Sequence, residues 1–301
     1  MDAANRPLLA LVLRLLAVAV LATMLMLVKY TVGSGVAFTE VMFWRQIWTV
    51  PLIAGWLALH GQTRRLKTDR LGSHGLRAFY GTTGMLMTFG APVLLPLAEA
   101  TTLGFTTPLF AVLLSAFVLR EQVGRYRWLA VLLGFLGVLV IARPGQAHIP
   151  PFGAAVGLGG GFMVALISIQ IRDLARTEEP LTIVFWFAAL SAPVLALALP
   201  FVMTAHSPWQ WLLLTAIGFA GCLGQLLLTA ALRFGQVASV IVMDYSSLVW
   251  ATLYGWAIWD QLPAPTTWLG APLIIAAGAI VVWREHRLYR RAAPASAASA
   301  E

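Results

Sequence analysis

Ten apolar runs, each close to the length that crosses a bilayer, follow one another along this chain with little between them. In the first half they are Leu8 to Tyr30, Val36 to Leu59, Leu76 to Leu95, Ala98 to Leu119 and Tyr126 to Ala142. In the second they are Phe152 to Ile171, Leu181 to Met203, Trp209 to Leu232, Val237 to Trp259 and Trp268 to Trp283. Hydrocarbon offers the backbone no hydrogen-bond partner, so a run of about 20 apolar residues crosses it as a helix that satisfies its own N–H and C=O groups. A barrel strand would alternate apolar and polar residues, which unbroken runs exclude. The longest connection, His60 to Gly75, carries Arg64, Arg65, Lys67 and Arg70 and is too short for a soluble domain. The expected fold class is an all-α polytopic membrane protein of ten transmembrane helices.

Arg6 and Arg14 precede the first run, and Ala17-Val18-Ala19 has the form of a signal cleavage site. The run continues past that triplet to Val28, too long for a signal core, so it reads as a retained first helix. Residues are 60% hydrophobic and 11% charged, against roughly a quarter charged in soluble domains, which makes the lipid bilayer the main partner. A net charge of +8 would suit nucleic acid only on a folded basic module, and there is none. Topology accounts for it better. With the N-terminus in the cytoplasm, 17 of the 20 Lys and Arg residues fall on the cytoplasmic side, Lys29 and Arg143 fall opposite, and Arg45 lies within a span. Cationic loops face the cytoplasm, so both termini are expected there. The single cysteine, Cys222, lies in an apolar run and reads as a packing residue.

The stretch Gly81 to Gly145 recurs, degraded, between Gly221 and Trp283. Gly81 and Gly84 correspond to Gly221 and Gly224, and Glu121-Gln122 to Asp260-Gln261, an offset of about 140 residues. Five spans per half is odd, so the second copy enters the membrane upside down. The expected organisation is a first five-helix repeat over 1–145, an inverted one over 146–291, and an Ala/Ser-rich disordered tail over 292–301. Inverted repeats frame a site near the bilayer midplane and work by alternating access. Glu121 then lies at the cytoplasmic turn and Asp260 at the outer one, which makes both candidate gating positions.

Charged groups at bilayer depth face a bundle interior or an aqueous cavity. Arg45 suits a substrate carboxylate through its planar fork, or a structural pair with Glu40, Glu99 or helix-end carbonyls. Glu99, Thr102 and Thr106 fall at i, i+3 and i+7, one polar stripe on the fourth span, and Pro108 bends that span as a hinge or a static kink. Asp244, followed by Tyr245 and Ser247, is a candidate for a substrate ammonium, a coupling proton or a neighbouring helix. Gln225 shares a small-residue face with Gly218 and Gly221, where an amide bonds a partner helix or lines the cavity. Tyr80, on a span opened by Gly81 and Gly84, and Trp186 are deeper aromatics able to line a cavity, while Trp209, Trp211, Trp259, Trp268 and Trp283 sit at span ends.

No cluster of carboxylates, histidines or a nucleophile with its base is present, which argues against a membrane enzyme, and the five histidines have no metal-ligand spacing. Lys29 and Lys67, the only lysines, follow no phosphate-loop glycine pattern, so ATP does not drive this chain directly and no cofactor is expected. Rings of charge or a repeated filter, which a channel would need, are absent. The expected partners are a small-molecule substrate and lipid, with a monomer as the expected state and a dimer as the alternative.

Glu40, Phe43 and Arg45, then Phe105-Thr106-Thr107-Pro108-Leu109-Phe110, Leu119-Arg120-Glu121, Arg127-Trp128, Gly134-Phe135-Leu136-Gly137 and Arg143-Pro144-Gly145, resemble the EamA-like families of the drug/metabolite transporter superfamily. In the second half Met243-Asp244-Tyr245-Ser246-Ser247-Leu248, Trp268-Leu269-Gly270 and Gly278 match. The second knot departs, with Asp260 where the family commonly has glutamate. The resemblance covers nearly the whole chain. It implies a carrier of two inverted five-helix halves that exports small metabolites across a bacterial inner membrane, foremost amino acids including aromatic or hydrophobic ones. Uptake or exchange of a nucleoside-like or S-adenosyl compound, and multidrug export, are the alternatives.

Overall fold

The computed structural model describes residues 7–117, 124–142, 150–174, 177–234 and 242–297. They are helical throughout, with no strand among them. The first four runs and the break within the fourth form α1 (Pro7–Gly33), α2 (Phe38–Leu59), α3 (Leu71–Leu94), α4 (Leu97–Gly104) and α5 (Thr107–Phe117). Then come α6 (Arg125–Ala142), α7 (Pro151–Leu174), α8 (Pro180–Ala196), the single turn α9 (Leu199–Val202) and α10 (Pro208–Phe234). A 3-10 turn, Val242–Ser246, leads into α11 (Ser247–Trp259), and α12 (Pro265–Ala297) closes the described chain. The last helix runs six residues into the stretch expected as a disordered tail, as far as Ala297.

Two proline positions explain the fourth run, which the sequence reads as one bent span. Leu95 precedes Pro96 and is extended (φ −129°, ψ 161°), as the residue before proline must be, so α3 stops there. Pro108 has no N–H for the carbonyl of Gly104, and the Thr107 hydroxyl takes that carbonyl instead at 2.8 Å. The Thr106 hydroxyl takes Leu103 O at 2.6 Å. The helix is therefore broken at Phe105–Thr106, and Pro108 sits in the first turn of α5, where its missing donor costs nothing. The bend expected at Pro108 is a full interruption upstream of it.

The most extensive helix pairings come in couples that interchange when each run is replaced by the run five further along. α1 packs on α10 and α3 on α7; α2 on α10 and α3 on α8; α5 on α7 and α11 on α1. The pairings α2 with α8, α4 with α11 and α6 with α12 map onto themselves. At the last of these the backbones nearly touch: a Cβ on Gly137 would meet Gly270 O at 2.8 Å, so only small residues permit the crossing. The opposite face of α6 is apolar and bare, with Leu132, Leu136 and Leu139 more than half exposed at helical spacing. Val12–Gly33, Leu97–Leu114, Pro151–Ile171 and Pro208–Leu228 have the length and apolarity to cross a membrane. An outward apolar surface of that kind belongs in lipid.

Candidate functional site

Where α2, α3, α8 and α10 meet, they leave a small cavity of about 40 Å³. α2 supplies Arg45, Gln46 and Thr49, α3 supplies Arg77, α8 supplies Val184, Phe187 and Ala188, and α10 supplies Gly221 and Gln225. Arg45 is 6% exposed, and its Nη1 donates to Gln46 Oε1 at 2.6 Å and to Met85 Sδ at 3.1 Å. Gln46 Nε2 donates to Ser191 Oγ at 2.6 Å, and that hydroxyl donates to Phe187 O at 2.6 Å. One chain of hydrogen bonds thus ties α2 to α8 at the place where those helices pair with each other.

Arg77 enters because α3 begins at Leu71, five residues before the apolar run that marks it in the sequence. The helix carries its guanidinium inward, 4.4 Å from the centre of the Phe187 ring. Gly81, one turn on, leaves the space: a Cβ there would collide with Arg77 Nη1 and come within 2.5 Å of Phe187 Cε2. Gly221, its counterpart in the repeat, flanks Arg45, with Cγ at 3.5 Å and Nε at 3.6 Å from where a Cβ would lie. Neither arginine has a carboxylate partner among the described residues. Glu40, one expected partner of Arg45, instead binds His206 Nε2 at 2.5 Å and Trp44 Nε1 at 3.2 Å.

Glu99, the other, is spent at one end of the bundle, where its Oε1 accepts from Ala264 N at 3.0 Å and from Thr267 Oγ1 at 3.2 Å. At the same end Lys29 donates to Leu95 O at 2.7 Å and lies 5.2 Å from the centre of the Trp259 ring. These contacts hold α1, α3, α4, α11 and α12 together. Toward the other end Arg14 grips Asp244 with two hydrogen bonds, Nε to Oδ1 at 2.6 Å and Nη2 to Oδ2 at 2.5 Å, joining α1 to the 3-10 turn. The break in the fourth run also touches the 3-10 turn of the ninth: the Phe105 and Tyr245 rings meet edge to face at 5.0 Å.

A discontinuous-helix bundle with a buried polar cavity at its paired centre has the layout of a membrane carrier. The EamA-like transporter family model matches residues 8–143 and again 151–283, one match for each half. The chain belongs to the EamA-like transporter family. A riboflavin transporter of Vibrio cholerae is 30% identical over 87% of this chain and 88% of its own. A pseudopaline exporter of Pseudomonas aeruginosa is 33% identical over 67% of this chain and 72% of its own. An S-adenosylmethionine uptake transporter of Rickettsia felis is 28% identical over 87% and 88%. A solved crystal structure, 21% identical, shares the fold at a TM-score of 0.61 over 94% of this chain and 99% of the other.

In this EamA-like transporter the residues singled out from sequence do not form one site. Arg45 and Gln225 line the cavity. Glu99 closes a bundle end, and Asp244 is held by Arg14. Tyr245 packs on Phe105, while Ser247 Oγ donates to Asp244 O at 2.6 Å and so belongs to the start of α11. Trp186 turns away from the cavity to donate to Leu66 O at 2.9 Å, and Tyr80, half-buried beside Phe79, is not among the cavity's lining. Asp260 is the left-handed residue (φ 52°) that ends α11, its N–H on Trp256 O at 3.0 Å. Glu121 lies outside the described residues. Arg77, Gln46, Thr49 and Phe187 are cavity residues the sequence reading passes over. The spacing Arg77, Gly81, Gly84, which puts a cation and two glycines on one helix face, is the signal that finds Arg77.

Proposed function

We propose that this protein is a secondary carrier that exports small metabolites across the bacterial inner membrane by alternating access, without ATP or a cofactor. It works as a monomer of ten spans, two inverted five-helix repeats with both termini in the cytoplasm. The cavity of Arg45, Arg77 and Gln225 is its substrate site. The observation that carries this reading is a buried polar cavity at the point where α2 and α8, each the other's counterpart, pair with one another. Further support comes from the interchanging helix pairings and from the interrupted fourth run, since discontinuous helices at a repeat interface are where carriers bind and gate.

On this reading the Glu99 and Lys29 contacts close the outer face, the Arg14–Asp244 pair closes the inner approach, and Phe105–Tyr245 lies between. Amino acids fit in that a carboxylate suits Arg45, with Phe187 and Val184 as an apolar wall for the side chain. Relatives named for riboflavin, pseudopaline and S-adenosylmethionine include an exporter and an uptake transporter, so their names set neither substrate nor direction. The test is counterflow in proteoliposomes loaded with an acidic amino acid. Saturable exchange against labelled external solute is expected, and linear flux that ignores the internal load would overturn the carrier.

A further inference from the structure

We propose that the cavity between α2, α3, α8 and α10 is an anion site, and that the solute it takes carries a carboxylate or phosphate group held between Arg45 and Arg77. This rests on the carrier reading above and deepens it. Two guanidiniums line one cavity, and among the described lining residues there is no aspartate or glutamate. Both arginines hold N–H donors that reach no acceptor: Nε of Arg45, and Nε and Nη1 of Arg77. The described acids nearest in role are committed elsewhere, Glu40 to His206, Glu99 to Ala264 and Thr267, and Asp244 to Arg14.

A buried charge without a counter-charge is costly and persists where function requires it. Here the two cations also repel one another. Aromatic faces hold them in place, Phe89 at 4.9 Å from Arg45 and Phe187 at 4.4 Å from Arg77. A ring face attracts a cation, but it offers no lone pair to the unpaired donors in the guanidinium plane. Gly81 and Gly221, which correspond in the two halves, leave each side chain room beside the cavity. Structural cross-linking would pair these arginines with the carboxylates, and it does not. An incoming anion supplies what both lack, and charge-assisted hydrogen bonds from guanidinium to carboxylate or phosphate are among the strongest available. The same arrangement selects by net charge. A zwitterion brings an ammonium that finds no acid in the lining, so a net-negative solute is favoured over a neutral amino acid.

The experiment measures thermal stabilisation of the purified full-length protein in detergent by inorganic phosphate, succinate, leucine and lysine, at matched ionic strength. Succinate or phosphate is expected to stabilise saturably and leucine and lysine not to, and which anion acts separates carboxylate from phosphate. Arg45→Gln and Arg77→Gln should each weaken the effect about tenfold or more, the worth of a hydrogen bond to a charged group. Should either glutamine variant fail to fold, Arg45→Lys and Arg77→Lys carry the test: charge is kept, the fork is lost, and weaker binding is still expected. No stabilisation by either anion, or stabilisation unchanged in the variants of both arginines, overturns the proposal. Counterflow run in parallel keeps the two readings apart. Anion binding without exchange sinks the carrier and keeps the site, whereas exchange of leucine or lysine unaffected by both arginine variants does the reverse.

Discussion

At Gly81 an added methyl would land on the Arg77 guanidinium and within 2.5 Å of the Phe187 ring. At Gly221 it would stay 3.5 Å from Arg45 Cγ and 3.2 Å from Met24 Sδ, a thioether that adjusts easily. The two counterpart glycines therefore differ. Gly221→Ala gains about 1 kcal/mol of helix propensity against a contact near van der Waals distance, and is expected to unfold no earlier than wild type. Gly81→Ala gains the same but overpacks Arg77, which Phe187 confines from its other side, and should be less stable than Gly221→Ala by about 1–3 kcal/mol. Thermal unfolding in detergent measures both, and equal stability would show that the Arg77 side chain moves aside freely. Legibility in sequence divides on the same residues. Arg45 stands out because it lies well inside an apolar run. Arg77 lies one residue after the apparent start of its run and reads as a loop charge, and only the earlier start of α3 brings it inside.

Between elements, the Arg14–Asp244 pair gives Asp244 a structural partner. Sequence left it open among substrate ligand, proton carrier and helix partner. Its two oxygens meet two nitrogens of one guanidinium, and Arg14 is itself buried, so the pair holds α1 against the turn that leads into α11. Asp244→Asn strands a buried cation. Breaking a buried pair costs about 3–5 kcal/mol, and the value here falls toward the low end because the Asp244 side chain is 37% exposed. The reversed pair, Arg14→Asp with Asp244→Arg, should recover most of that loss and leave the solute KM near wild type. Recovered stability with lost binding would instead place Asp244 in the substrate site. The break in the fourth run shows why such roles escape a sequence reading. Pro108 signals a bend plainly, but the full break at Phe105–Thr106 depends on which hydroxyls reach the carbonyls of Leu103 and Gly104, and that is a matter of side-chain geometry.

For the whole molecule, the division into two similar halves was legible because it rests on apolar length and on glycine and knot residues that recur at one offset. The centre of the site was not, because it forms from four helices drawn equally from both halves and no run of sequence contains it. The interchange of helix pairings carries a consequence for topology. Connections two and seven, which hold Thr63 and Ala205, are counterparts separated by five spans, so an inverted repeat sets them on opposite faces of the membrane. Both residues are exposed. Cys222 is the only native cysteine, and Cys222→Ala gives a cysteine-free background at the cost of one small buried side chain. In that background Thr63→Cys should react with a membrane-impermeant maleimide only in inside-out vesicles, and Ala205→Cys only in right-side-out ones. The reversed pattern would keep the inverted repeat and place the termini outside. Labelling of both from the same face would mean an even number of crossings between them, and the two halves could not then be inverted copies.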